Sequence, residues 1–267
     1  MSLLALSPTI AASPLGRANP LAKLGAALAV TLALLPTVDA VTPSVLLACT
    51  VLCIPLARVS VGQLLRRAWP ILLAATSLVF VNAAFAAHPT GLVVLAAGPV
   101  NLTTGGLVDG AVLALRVIAI ALPGVLAIMT IDPTDLADAL VQQLGLSPRF
   151  AYGTLAALRV LPLLALEWQS LRLARRARGF EAGRSPVRAV KLFAGQVFAL
   201  LVGAIRRGTR LATAMDARGL GSLPTRTSAR VQRMRRSDWA LLTAAVLVCL
   251  AATALSVATG AWHLVLS

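Results

Sequence analysis

Five apolar runs recur along the chain, at roughly residues 24–38, 41–57, 69–87, 107–131 and 239–264. Each is long enough, or nearly so, to cross a hydrocarbon layer about 30 Å thick. A soluble domain carries about 25% charged residues; this chain of 267 residues has 12%, and 58% of it is hydrophobic. In lipid every backbone N–H and C=O must find a partner within its own structure, which leaves helices or closed barrels. No ten-residue alternating pattern of the barrel kind is present. The expected fold class is therefore all-α, a multispan membrane protein with about five transmembrane helices. The first run is short, and the fourth contains Arg116. An arginine at membrane depth is costly unless it faces a partner or a polar cavity, so Arg116 is expected to tie neighbouring spans together.

Charge is distributed very unevenly. The formal net charge is +15, from 24 Lys and Arg against nine Asp and Glu. Residues 149–236 hold eighteen of those bases and three of the acids, Glu167, Glu181 and Asp216, and so carry the whole excess. In the connections, Arg17 and Lys23 precede the first span, Arg58, Arg66 and Arg67 join the second to the third, and residues 88–106 link the third to the fourth without charge. The positive-inside rule then expects the N-terminus inside and the C-terminus outside of the cytoplasmic (cell) membrane. The first charge is Arg17, so no basic leader region is expected.

Cys49, Cys53 and Cys249 all lie in apolar runs and read as small apolar residues rather than as disulfide partners. His88 and His263 stand alone near the outer side, and no metal site is expected of them. The cluster Arg226, Arg230, Arg233, Arg235 and Arg236, just before the last span, suits lipid headgroups and the positive-inside rule. Two further apolar stretches, 151–166 and 192–205, fall inside the basic segment. The first contains Arg159 and Pro162 and the second is short, which favours interfacial or core helices, although a membrane hairpin would leave the orientation unchanged.

Local signals place the helices of this segment. At Asp132-Pro133-Thr134-Asp135 the first residue can cap, Pro133 suits the first helical position, and Asp135 favours the positive helix end. Long helices are expected from Ser147-Pro148 to Ala177 and from Ser185-Pro186 to Ala217. Each opens on Ser-Pro and closes on the same triplet, Ala177-Arg178-Gly179 and Ala217-Arg218-Gly219. A glycine past a helix end takes the left-handed cap and an arginine in the last turn complements the dipole. That accounts for the glycines more fully than for an identical triplet used twice. Such an arginine, held at a rigid tip about 45 Å from the helix start, is suited to carbonyls or carboxylates in a partner's groove. Arg159 and Glu167, eight apart on one helix face, read either as a structural polar pair or network or as partner contacts.

These features resemble the transmembrane (T) component of energy-coupling factor (ECF) transporters, the EcfT/CbiQ family. The likeness covers most of the chain after about residue 100: Leu115-Arg116-Val117, Thr130 through Leu136, Arg159-Val160-Leu161-Pro162 with Glu167, both Ala-Arg-Gly triplets, and Thr225-Arg226-Thr227 followed by Asp238. The resemblance implies four transmembrane helices over 1–131, a cytoplasmic coupling-helix region over 132–237, and a last transmembrane helix over 238–267. It implies that the coupling helices cross one another and that Arg178 and Arg218, with their flanking Ala and Gly, each dock on one of two ABC-type ATPase subunits. It further implies that a substrate-binding membrane (S) subunit rests on the helix bodies. Arg116, Arg159, Glu167 and Asp216 would be structural or coupling residues. The activity implied is uptake of a vitamin or metal ion.

No phosphate loop is present, because Lys23 and Lys191 are each followed by leucine, so ATP and magnesium would belong to the partner ATPases and no cofactor to this chain. An alternative is a membrane enzyme using Asp132, Asp135 and Asp138 with magnesium on an anionic lipid. Nucleic acid is not expected as a partner, since the arginines alternate with apolar helix and aromatics to stack bases are few.

Overall fold

A computed structural model describes residues 10, 12–37, 39–85, 93–97, 100–180, 183, 185–220, 228 and 230–260. Of the positions singled out above, Glu181, Arg226 with its neighbours Thr225 and Thr227, His88, His263 and the last residues of the fifth run lie outside the described residues. The described residues divide into two compact units: one holds those from Ile10 to Ile131 and from Arg233 to Gly260, the other those from Asp132 to Gln232.

In the first unit a short turn of helix, α1 (Pro14–Arg17), leads into α2 (Pro20–Leu34). Both start where the sequence supplies cap chemistry: Gly16 N–H donates to Ser13 Oγ at 2.8 Å and Leu21 N–H to Asn19 Oδ1 at 2.9 Å, each followed by a proline at the first helical turn. Then come α3 (Val41–Ala57) and α4 (Val61–Ala84). Strands β1 (Val93–Ala97) and β2 (Val100–Thr103) pair antiparallel, with Leu95 opposite Leu102 and Ala97 opposite Val100. Thr103 caps the next helix, α5 (Thr104–Thr130). The unit closes with α9 (Arg236–Ala258). Two apolar clusters hold it together: Ile10, Ala57, Val59, Leu64, Leu126 and Met129 in one, and Leu34, Leu46, Ala119, Cys249 and Ala252 in the other. Alanines at both contacts let backbones approach, as membrane helices require when lipid offers no hydrophobic drive between them.

The second unit contains α6 (Pro133–Leu144) and two long helices, α7 (Pro148–Ala177) and α8 (Pro186–Ala217). Among the described helices, α4, α5, α7, α8 and α9 are long and apolar enough to cross a membrane, with α2 and α3 as shorter apolar helices. The chain is an all-α multispan membrane protein carrying one two-stranded ribbon.

The structure refines several expectations. Helix α4 begins at Val61, well before the apolar run, because Arg66 and Arg67 interrupt hydropathy without interrupting helix. The link expected over 88–106 contains the β-ribbon. Lys23, counted above among the loop charges, lies within α2 and is buried. Its ammonium donates to the Thr130 carbonyl at 2.8 Å and the Gly16 carbonyl at 3.1 Å, so it joins two helix ends rather than facing solvent.

Candidate functional site

Arg116 projects from α5 to the C-terminal end of α2, where its Nη2 donates to the carbonyls of Leu34 at 2.6 Å and Leu35 at 2.7 Å. The last carbonyls of a helix have no intrahelical donor, and in a membrane no water replaces one. One guanidinium therefore satisfies two of them and discharges its own charge against the negative helix end. Asp39 sits just past the same end. Burial pushes its carboxyl up, but Ser256 Oγ at 2.6 Å, with Thr42 Oγ1 at 2.6 Å and Thr42 N–H at 2.8 Å, donates to it and holds it below its ordinary value.

Asp238, fully buried, accepts from Asn19 N–H at 2.9 Å and Arg235 N–H at 2.7 Å, fastening the start of α9 to the start of α2.

In the second unit each of the three clustered carboxylates has its own partner. Asp132 Oδ1 accepts from Thr134 N–H at 2.7 Å as the cap of α6. Asp135 lies 3.8 Å from Arg230, and buried Asp138 accepts from Tyr152 Oη at 2.8 Å. Among the described residues no group of three or more His, Cys, Asp or Glu side chains is arranged to hold a metal ion.

The two triplets end their helices in the same way. Arg178 (φ −90°, ψ 7°) and Arg218 (φ −87°, ψ 7°) are the cap residues. They are followed by Gly179 and Gly219 at φ 76° and 73°. Gly179 N–H donates to the Arg176 carbonyl at 2.9 Å and Phe180 N–H to that of Arg175 at 3.0 Å. Gly219 N–H donates to the Asp216 carbonyl at 2.9 Å and Leu220 N–H to that of Met215 at 3.0 Å. This double return is the Schellman arrangement, and the left-handed φ explains why each triplet ends in glycine. Both arginines are exposed, and within the described residues neither guanidinium has a hydrogen-bond or ion-pair partner.

Contacts at three levels set α7 and α8 antiparallel. Arg175 donates to the carbonyls of Leu192 at 2.8 Å and Gly195 at 2.9 Å. Midway, Arg207 Nη2 meets Glu167 Oε2 at 2.6 Å. At the far end Arg149 Nε donates to the Leu220 carbonyl at 3.3 Å and its guanidinium lies 4.0 Å from Asp216. Since a helix of this length extends about 45 Å, Arg178 and Arg218 occupy opposite ends of the pair. The direct pairing considered for Arg159 and Glu167 is absent. Eight residues separate them by about 12 Å along the axis, and Arg159 instead donates to Thr134 Oγ1 at 3.3 Å. Sequence reasoning missed Arg207, Arg175 and Arg149, whose partners are fixed only by the packing of α8 on α7. It also missed Gln142, whose amide donates to the Arg230 carbonyl at 2.7 Å and accepts from Gln232 N–H at 2.8 Å.

The profile of the CbiQ family, described as cobalt transport protein, matches residues 11–229. The chain belongs to the CbiQ family. Among its curated relatives, the energy-coupling factor transporter transmembrane protein EcfT of Heliobacterium modesticaldum is 32% identical over 255 residues, which is 89% of this chain and 93% of that protein. The EcfT protein of Leuconostoc gelidum is 28% identical over 155 residues, 55% of this chain and 58% of its own length. That of Lacticaseibacillus paracasei is 33% identical over 148 residues, 52% and 55% respectively. The chain thus spans a little over half of the Leuconostoc and Lacticaseibacillus proteins and nearly all of the Heliobacterium one.

Proposed function

We propose that the chain is the transmembrane coupling subunit of an ECF-type ABC importer. It carries no catalysis of its own and transmits motion from two ATPase subunits to a substrate-binding membrane subunit. The observation that supports this most directly is the repeated, exposed Arg-Gly helix end, presented twice at opposite ends of one antiparallel pair. A pair of outward guanidiniums roughly 45 Å apart suits two separate sockets better than one. ATP and magnesium would be bound by the ATPases. Closure of that pair shifts the two tips, and the antiparallel contacts at Glu167–Arg207 and Arg175–Leu192 make α7 and α8 respond together.

The helix bodies carry exposed large apolar side chains, among them Leu161, Leu166, Leu173, Phe193, Phe198 and Ile205. Exposed apolar surface on this scale needs lipid or a membrane partner, and the S subunit is the partner that fits. The cargo would be a vitamin or a metal ion, and the basic connections favour an N-terminus inside and a C-terminus outside.

The test is copurification. Full-length chain carrying Arg178→Glu and Arg218→Glu, coexpressed with candidate ABC-type ATPases from the same genome that copurify with wild type, should lose them from the purified complex. Stoichiometric ATPase retained by the double variant rejects docking through the triplets.

A further inference from the structure

Where the end of α7 meets the start of α8, a cavity of about 460 Å³ is lined by Trp168, Arg172, Arg175, Arg176, Phe193 and Gln196 among others. Positions 168, 172, 175 and 176 fall on one helix face, so three guanidiniums and an indole converge there by the periodicity of α7 alone. Phe193 closes the opposite wall, its ring edge-on to Trp168 with centroids 5.4 Å apart. Arg175 is already bound to two carbonyls of α8 and forms a fixed floor. Within the described residues Arg172 and Arg176 have no carboxylate or carbonyl partner. Arg178, the docking candidate, lies beyond the helix end and does not line this cavity.

Two uncommitted guanidiniums beside a third in a fixed position make a strongly cationic recess, and its size is that of a small-molecule site. Phe180 and Leu192, which also line it, add apolar surface beside the arginines. Cationic recesses between apolar helices match anionic lipid headgroups, whose phosphate meets the arginines while acyl chains cover the adjacent hydrophobic surface; Trp is the side chain that favours this boundary.

We infer that this pocket holds the phosphate of an anionic phospholipid, with Arg172 and Arg176 as its principal ligands. The inference rests on the membrane character of the chain and not on docking to ATPases.

Native mass spectrometry of the full-length chain, titrated in detergent with phosphatidylglycerol, phosphatidylcholine or inorganic phosphate, tests it. Wild type should retain one phosphatidylglycerol in preference to phosphatidylcholine. Arg172→Gln with Arg176→Gln should bind it about tenfold more weakly, the loss of charge-assisted bonds to phosphate, while Arg206→Gln with Arg210→Gln, exposed on α8 and outside the cavity lining, leaves retention unchanged. Arg172→Lys with Arg176→Lys, which keeps the charge, should recover part of it. If the Gln pair fails to fold, Arg172→Gln alone is measured against the same wild type. Equal retention by the Gln variants overturns the proposal, as does equal binding of the two lipids. Displacement by millimolar inorganic phosphate would make this a site for free anions, and an acidic ATPase side chain found in the pocket of an assembled complex would make it a protein contact; either result overturns the lipid assignment.

Discussion

Arg207 reaches from the middle of α8 to Glu167 on α7 and meets its carboxylate at 2.6 Å, the shortest ion pair in the described structure. Both side chains remain partly exposed, at 34% and 42%. In water such a pair contributes modestly, because two long side chains must be held in one geometry. A double-mutant cycle with Glu167→Gln and Arg207→Gln should therefore give a small but measurable favourable coupling. The exchange Glu167→Arg with Arg207→Glu should restore most of the lost stability. Thermal unfolding of the purified chain reads both. Additive single effects would show that the pair is incidental to the packing of α7 on α8.

Gly179, at φ 76°, is a position where a side chain is expensive for backbone reasons alone. A Cβ on Gly179 meets nothing within 4 Å, so the cost of Gly179→Ala is conformational. A left-handed φ costs an L residue about 1 kcal/mol or somewhat more. Gly179→Ala should lower stability by that amount, and Gly179→Asn by less, since Asn tolerates the left-handed region. The measurement is equilibrium unfolding of each variant. An alanine variant as stable as wild type would mean that α7 does not end in the left-handed turn.

The boundaries of α7 and α8 were legible because they depend on neighbours in sequence: Ser147 and Ser185 as caps, Pro148 and Pro186 at the first turn, Gly179 and Gly219 past the end. That Arg116 needs a partner was legible too, because an arginine at membrane depth has few affordable environments. Partner choice was not. Glu167 takes Arg207, forty residues away, and Lys23 takes Thr130, over a hundred away, through helix packing that leaves no mark in local spacing. Nor did the start of α4 show in hydropathy, since arginine propagates a helix as well as leucine does and differs only in where it can be solvated. The Ala-Arg-Gly triplets were visible as a repeat, but that both make the same pair of returning hydrogen bonds required coordinates.

Removal of the Arg116 guanidinium exposes the difference between an unpaired and a replaced polar group. Arg116→Leu leaves the Leu34 and Leu35 carbonyls without their donor at the end of α2. Hydrogen bonds to charged groups contribute about 1.5–3 kcal/mol, so a loss of that order is expected in unfolding of the detergent-solubilised chain. Arg116→Lys supplies a single ammonium and should recover only part of it. Equal stability of Arg116→Leu and wild type would show that the carbonyls find other donors.

Asp39 links stability to pH. Its carboxyl is buried, which raises its affinity for protons, but Ser256 and Thr42 donate to the charged form and the net shift is downward. A carboxylate depressed in the folded state contributes stability above its unfolded value of about 4, and that contribution fades as pH falls through the folded value. The melting temperature of wild type should therefore drop between about pH 5 and pH 3 more steeply than that of Asp39→Asn. Parallel curves would remove Asp39 from the acid transition.

Gln142 holds an extended piece of backbone the way a neighbouring strand would. Its amide nitrogen donates to the Arg230 carbonyl and its oxygen accepts from Gln232 N–H, while Gln143 donates to the Gln232 carbonyl at 3.1 Å. These bonds give Arg230–Gln232 the pairing that a loop otherwise takes from water. The same connection carries Arg230, Arg233 and Arg235, three trypsin sites just before α9. Cleavage needs an extended backbone free to enter the protease, so the rate reports local opening. Gln142→Ala removes two bonds at once and should speed tryptic cleavage after Arg230 and Arg233 by about tenfold, if each bond contributes near 0.7 kcal/mol. Limited proteolysis with mass detection of the C-terminal fragment gives the rate, and an unchanged rate would mean that the connection is held by something other than this side chain.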